Sequence, residues 1–146
     1  MTTPAPPGVT APAAGPGPDA VAEWALRIAA VLVGTVITVT TEVIAAFLTP
    51  FRLGGTLIPI SWVIVVAGVV LGVTITRYGS GIAGATAVPA LAWFLVLWPL
   101  SSSTAEGDLV VPGTWVGYGV LLLGLLAIVG TVAVSMAMSR PRRSLG

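Results

Sequence analysis

Residues 25–48 form an apolar stretch long enough to cross a lipid bilayer as a helix, and this feature limits the possible folds most. A helix rises about 1.5 Å per residue and the hydrocarbon core is about 30 Å thick, so about 20 apolar residues suffice. Further apolar stretches follow at 57–76, 80–100 and 113–138. Only 8% of the residues are charged, whereas soluble domains have about 25%. The pattern predicts an all-α integral membrane protein with four transmembrane helices in an up-down bundle.

The predicted transmembrane domain covers residues 19–139 and lies between two tails. Residues 1–18 are rich in Pro and Ala and have no hydrophobic period, which predicts a disordered N-terminal tail. Residues 140–146 form a basic C-terminal tail that contains Arg140, Arg142 and Arg143. Four helices place both termini on one side of the membrane. Because most arginines fall on that side, the positive-inside rule predicts cytoplasmic termini in a plasma membrane.

Glu42 lies inside the first apolar stretch, and Thr38 and Thr35 continue its helix face toward the N-terminus. We expect an off-centre depth, two turns from the end of the stretch. An intramembrane acid costs up to about 3.5 kcal/mol at mid-membrane and less near an interface. Arg52 is the nearest expected counter-ion and Ser61 a further partner, and these five residues form a candidate polar cluster. Two interpretations stay open. In the first, Glu42 is an ion site, a proton site or a contact to a partner subunit. In the second, Glu42 is a structural acid whose carboxylate is hydrogen-bonded or paired by hydroxyl groups, by water or by an arginine.

Other side chains are expected near this cluster on the outer side of the membrane. They are the aromatic residues Trp62, Trp93, Trp98, Trp115 and Tyr118. Aromatic rings of this kind favour the membrane–water interface. The sequence therefore predicts a polar, aromatic-rich cluster on the outer side.

Small residues indicate where helices approach each other closely. Gly68 and Gly72 form one small-xxx-small pair, and Gly113 and Gly117 form another. Packing within the bundle and homodimerisation both account for such pairs. Pro89 is expected to kink the third helix.

The loops contain the other candidate features. Gly54–Gly55 is predicted to reverse the chain after the first helix, and Arg77–Gly79 is predicted to be a tight turn after the second. Glu106 and Asp108 lie in the longest loop, beside hydroxyl residues. These two acids are a candidate weak cation site, although a solvated loop is the commoner arrangement.

The residue types that the chain lacks exclude several classes of function. There is no Cys, no His and, on inspection, no Lys, Asn or Gln. The usual ligands of zinc, haem and iron–sulfur clusters are therefore missing. The usual catalytic bases and activated nucleophiles are missing as well. We expect no enzyme activity, no metal, no cofactor and no nucleic-acid partner.

The segment Ala105–Leu109, followed by Gly117–Gly119 and Leu122–Gly124, resembles a family of small actinobacterial four-helix membrane proteins of unknown function. In that family an acidic Glu-Gly-Asp turn leads into the last helix. Here Ser103–Thr104 stands where the family usually has Arg-Pro. The resemblance implies four spans and a bacterial plasma membrane, and it implies no activity. More locally, Glu42–Ile44 is similar to the first helix of small multidrug resistance transporters, whose pattern the later helices do not follow.

The sequence thus favours a non-catalytic accessory or scaffold subunit. Such a subunit would lie in the lipid bilayer and pack against a membrane-protein partner or a second copy. The alternative is a small proton-coupled transporter that uses Glu42. The two hypotheses differ in their consequences, because the transporter hypothesis predicts that Glu42→Gln abolishes flux and leaves the fold intact.

Overall fold

The computed structural model of the protein describes residues 17–102 and 113–138, and helices dominate this part of the chain. The helices are α1 (Pro18–Phe47), α2 (Ile60–Ser80), α3 (Ala87–Leu100) and α4 (Trp115–Met138). A 3₁₀ turn at Ala83–Thr86 leads into α3. Counted with that turn, each of the 4 helices is long and apolar enough to cross a membrane. The predicted all-α chain with four apolar helices is confirmed to this extent.

Several predictions concern residues outside the described part of the chain. They are the N-terminal tail up to residue 16, the acidic pair Glu106 and Asp108, and the basic tail 140–146. The structure does not test these three predictions.

A short hairpin joins α1 to α2, as the Gly54–Gly55 pair predicts. Strand β1 (Arg52–Leu53) pairs antiparallel with strand β2 (Thr56–Leu57). Gly54 and Gly55 have positive φ angles of 57° and 88°. Glycine adopts this left-handed region without steric cost, and two-residue hairpin turns require it.

Two predictions at the α2–α3 connection are wrong. Arg77–Gly79 is not a turn, because α2 continues to Ser80 and ends at Gly81, whose φ is 69°. The left-handed glycine after the last helical residue is the true stop signal. Pro89 does not kink a helix, because it lies in the first turn of α3. A proline is tolerated there since the first backbone N–H groups of a helix have no partner in the preceding turn.

Glycines bring α1 and α2 into close contact along an antiparallel interface. A methyl group added to Gly34 would collide with the Gly72 carbonyl oxygen and the Thr76 hydroxyl. One added to Gly68 would collide with Thr41. The Gly68 and Gly72 pair is therefore used for packing within the chain, which is one of the two interpretations left open by the sequence.

The contact between α2 and α4 pairs a large side chain with a small one. The Trp62 ring lies against Gly119, and its indole N–H donates a 2.9 Å hydrogen bond to the Val116 carbonyl oxygen. Gly117 is buried in α4, whereas Gly113 is exposed and precedes the helix. Gly113 therefore does not pack against another helix within the chain, and Gly119 takes that role.

The helices are arranged around the bundle in the order α1, α2, α4, α3. Helices that follow each other in the sequence run antiparallel, whereas the neighbours α2 and α4 run parallel. α1 packs along α2 and α3, and α2 packs along α4, whereas the backbones of α3 and α4 stay apart. An open apolar cleft of about 420 Å³ lies between α3 and α4. We call it the α3–α4 cleft, and it is lined by Trp93, Phe94, Leu97, Trp98, Ser101, Ser102, Leu121 and Leu125. The bundle is thus closed on three sides and open on the fourth.

The outer surface of the bundle is apolar, whereas the interior contains both apolar and polar side chains. The apolar interior residues are Val65, Val69, Val73, Val120 and Ile128. Glu42 and several threonines and serines are buried among the helices as well. Large apolar side chains such as Leu26, Val63 and Leu95 are mostly exposed on the outer faces of the helices. A surface of this composition is typical of helices that face lipid.

Candidate functional site around Glu42

Glu42 is completely buried, with 0% exposure, although it is a carboxylic acid. Thr41 lies opposite Gly68 in the antiparallel α1–α2 pair, so Glu42 is level with the residues beside Gly68. At 1.5 Å per residue, this level is about 12 Å from the start of α2 and about 18 Å from its end. Glu42 therefore lies about 3 Å from the midpoint of α2, and its depth in a membrane stays a prediction. The first turns of α1 project beyond the end of α2.

The hydroxyl groups on the same helix face do not satisfy the acid. Thr38 donates a 3.0 Å hydrogen bond to the Gly34 carbonyl oxygen, and Thr35 donates one of 2.8 Å to that of Val31. Both hydroxyl hydrogens are therefore used within α1. Among the described residues, neither carboxylate oxygen of Glu42 has a hydrogen-bond partner.

Arg52 and Ser61 do not join the cluster that the sequence predicts. Arg52 is exposed on β1 and donates to the Gly55 carbonyl oxygen at 3.3 Å, within the hairpin. Ser61 is buried, but the α1–α2 register places it level with Thr49. That level is about two helical turns, or roughly 10 Å, from Glu42. Of the five predicted residues, the structure thus brings together Glu42, Thr38 and Thr35.

Trp93 of α3 is the predicted aromatic neighbour that the structure does place beside Glu42. Its indole N–H interacts with the carboxylate, but the geometry falls short of a hydrogen bond, and the N–H has no other acceptor in the described chain. The ring is 1% exposed and lies against Gly124 of α4. The sequence predicted Trp93 at the membrane–water interface, whereas the structure buries its ring inside the bundle.

The other predicted aromatic residues do not surround the acid. Trp62 and Trp115 meet edge-to-face with ring centroids 5.5 Å apart, on the hairpin side of the bundle. Trp98 is 79% exposed and Tyr118 is also exposed. Only Trp93 among these residues contributes to the environment of Glu42.

The site therefore consists of a buried acid, an indole N–H and an apolar cleft. Trp93 lines the α3–α4 cleft with one part of its ring and faces Glu42 with its N–H. A carboxyl group in this position has the chemistry to exchange a proton or to accept hydrogen bonds. In the part of the chain described, no group of three or more His, Cys, Asp or Glu residues is placed to hold a metal ion.

Comparisons with protein-family models, with curated proteins and with solved structures find no match to this chain. The resemblance of the last third of the chain to an actinobacterial family stays a prediction.

Proposed function

We propose that the protein is a non-catalytic accessory subunit whose open α3–α4 side receives a transmembrane helix of another membrane protein. Its four helices cross a bacterial plasma membrane with both termini on the cytoplasmic side. The apolar outer surface and the arginines near one end of the bundle support this placement. One observation carries the proposal: the bundle is open on one side, and the Trp93 ring that lines the opening faces the unpartnered acid Glu42 with its N–H.

An unpartnered buried acid favours a partner that donates hydrogen bonds. A buried polar group without a partner costs about 1–3 kcal/mol, and more when it is charged. Lipid tails offer no donor to recover this cost. A partner helix that carries a basic or hydroxyl side chain at the level of Glu42 recovers it, by entering the cleft beside the Trp93 indole.

The distribution of charge favours a different protein over a second copy of this one. Arg27 and Arg77 lie toward one end of the helices, and Arg52 lies in the hairpin at the other end. The described helices thus carry no basic side chain at the level of Glu42. A second copy would offer the carboxylate a hydroxyl group, such as that of the exposed Thr40, but no basic side chain at this level.

The absence of cysteine from the sequence allows a direct test by site-specific crosslinking. Leu125 lines the cleft, whereas Leu122 lies on the same helix, is 59% exposed and lies outside the cleft lining. Leu125→Cys, labelled with a short photo-crosslinker in native membranes, should give one heteromeric adduct. Leu122→Cys, the matched control, should give little of it.

Three further results decide the interpretation of this experiment. Adding Glu42→Gln to Leu125→Cys should abolish the adduct, which would show that the contact depends on the acid. An adduct of twice the monomer mass would replace the proposal by homodimerisation. Equal adducts from both cysteine positions would contradict a docking site in the cleft.

The burial of Glu42 inside the helix bundle favours proton-coupled transport as a second candidate function. A buried acid in a membrane-spanning bundle is in a position to take up a proton and release it on either side. In this case the purified chain alone should carry proton-coupled flux in liposomes. Glu42→Gln should abolish that flux, whereas Glu23→Gln, at an exposed ion pair with Arg27, should leave it unchanged. An accessory subunit shows no flux in this assay.

A further inference from the structure

A groove with a polar lining separates the last turns of α2 and α4. Its volume is about 380 Å³. Arg77, Tyr78 and Thr74 line it from α2, and Thr131 and Ser135 line it from α4. We call it the Arg77 groove. It lies at the opposite end of the bundle from the hairpin, and it is separate from the α3–α4 cleft.

We propose that the Arg77 groove binds the headgroup of an anionic phospholipid. Arg77 is half-buried at the groove, and a guanidinium group binds phosphate oxygens through two parallel hydrogen bonds. Tyr78 beside it is exposed, so its hydroxyl is available as a second donor. Basic pockets between membrane helices recognise anionic headgroups in this way.

The hydroxyl groups of α4 leave the binding to the α2 side chains. Thr131 donates a hydrogen bond of 2.6 Å to the Ala127 carbonyl oxygen, and Ser135 donates one of 2.8 Å to that of Thr131. Both hydroxyl hydrogens are therefore used within α4. Arg77 already interacts within the chain, but its guanidinium group has five N–H donors, so Arg77 and Tyr78 are the principal donors to a phosphate.

The C-terminal end of α2 makes a basic side chain necessary for anion binding. α2 ends at Ser80, beside the groove, and the carbonyl end of a helix carries partial negative charge. Attraction of an anion must therefore come from a basic side chain. Arg77 is the basic side chain that lines the groove in the described part of the chain.

The surroundings of the groove favour a lipid over a soluble phosphate compound. Val134 and Met138 border it and are exposed, so the polar pocket opens onto the apolar outer surface of the bundle. A phospholipid places its phosphate in the pocket and its acyl chains along that surface. A free phosphate ion has no acyl chains and gains nothing from the apolar outer surface.

Native mass spectrometry of the purified full-length chain, with matched phosphatidylglycerol and phosphatidylcholine, tests the proposal. The wild-type chain should retain phosphatidylglycerol preferentially. Arg77→Gln should weaken that retention about tenfold, the equivalent of one charge-assisted hydrogen-bonded contact. Arg52→Gln is the matched control, since Arg52 lies in the hairpin at the other end, and it should change nothing.

Two additional measurements keep the test decisive if Arg77→Gln does not fold. Arg77→Lys keeps the positive charge and loses the planar fork, so it should retain the anionic lipid less well than wild type. Inorganic phosphate, added in excess to the wild-type chain, should not displace the bound lipid. Equal retention of both lipids, equal loss in the Arg77 and Arg52 variants, or displacement by inorganic phosphate would each overturn the proposal.

Discussion

Replacement of Gly34 by alanine tests the packing of α1 against α2. A Cβ atom at Gly34 would collide with the carbonyl oxygen of Gly72, which belongs to the backbone of the opposite helix. It would also collide with the Thr76 hydroxyl. A flexible side chain can rotate away from a new methyl group, but a helix backbone cannot. The two helices must therefore move apart at the middle of their interface.

The size of the effect follows from two opposing terms. Overpacking of a well-packed interface costs about 1–3 kcal/mol. Glycine to alanine inside a helix gains about 0.5–1 kcal/mol from backbone entropy and propensity. Gly130→Ala is the matched control, because an added Cβ there meets nothing within 4 Å. We expect Gly34→Ala to lower the free energy of unfolding by about 1–2 kcal/mol and Gly130→Ala to leave it equal or raise it.

The assay is denaturant-induced unfolding of the purified chain in mild-detergent micelles. Tryptophan fluorescence and far-ultraviolet circular dichroism both report the transition, and the midpoint and slope give the free energy of unfolding. If Gly34→Ala is as stable as Gly130→Ala, α1 and α2 are not in backbone contact at this position, and the register derived from it is incorrect.

The same unfolding assay checks three more substitutions. Trp62→Phe removes the hydrogen bond to the Val116 carbonyl oxygen and should cost about 0.5–1.5 kcal/mol, whereas the exposed control Trp98→Phe should stay within about 0.5 kcal/mol of wild type. Equal effects of the two would exclude a role for the indole N–H. Gly55→Ala forces alanine into a φ of 88° and should cost about 1–2 kcal/mol, and no change would mean that the hairpin has another conformation. Trp93→Ala empties the centre of the bundle and should cost about 3–5 kcal/mol; a cost below 1 kcal/mol would contradict its buried position.

The number and type of the helices could be predicted because the length and hydropathy of each stretch are properties of that stretch alone. Each apolar stretch is long enough to span a bilayer, whatever the others do. Helix ends were less predictable. At the α2–α3 connection the left-handed Gly81 ends the helix, and Arg77–Gly79 has no such signal. The position of Pro89 depends on the 3₁₀ turn before it, which leaves the proline in the first turn of α3.

The burial of Glu42 could be predicted, but its neighbours could be predicted only in part. Helix periodicity shows which residues share a face of α1, and Thr38 and Thr35 were found in this way. The partners from other helices depend on register and rotation, which no single helix specifies. Ser61 therefore lies about two turns from the acid, and Trp93 reaches it because Gly124 leaves room for the ring.

We propose that a partner helix at the open side of the bundle supplies the hydrogen-bond donor that the Glu42 carboxylate lacks within this chain. The most direct test is the native mass of the protein captured from its own membranes in mild detergent, for wild type and for Glu42→Gln. We predict that wild type is part of a stoichiometric complex with a larger protein. The Glu42→Gln variant should be captured without that protein and therefore at a smaller native mass. The isolated variant should have a free energy of unfolding at least as high as that of wild type, because a neutral amide costs less to bury than a carboxylate. The same mass for both chains would contradict the claim, since the acid would then have no role in assembly.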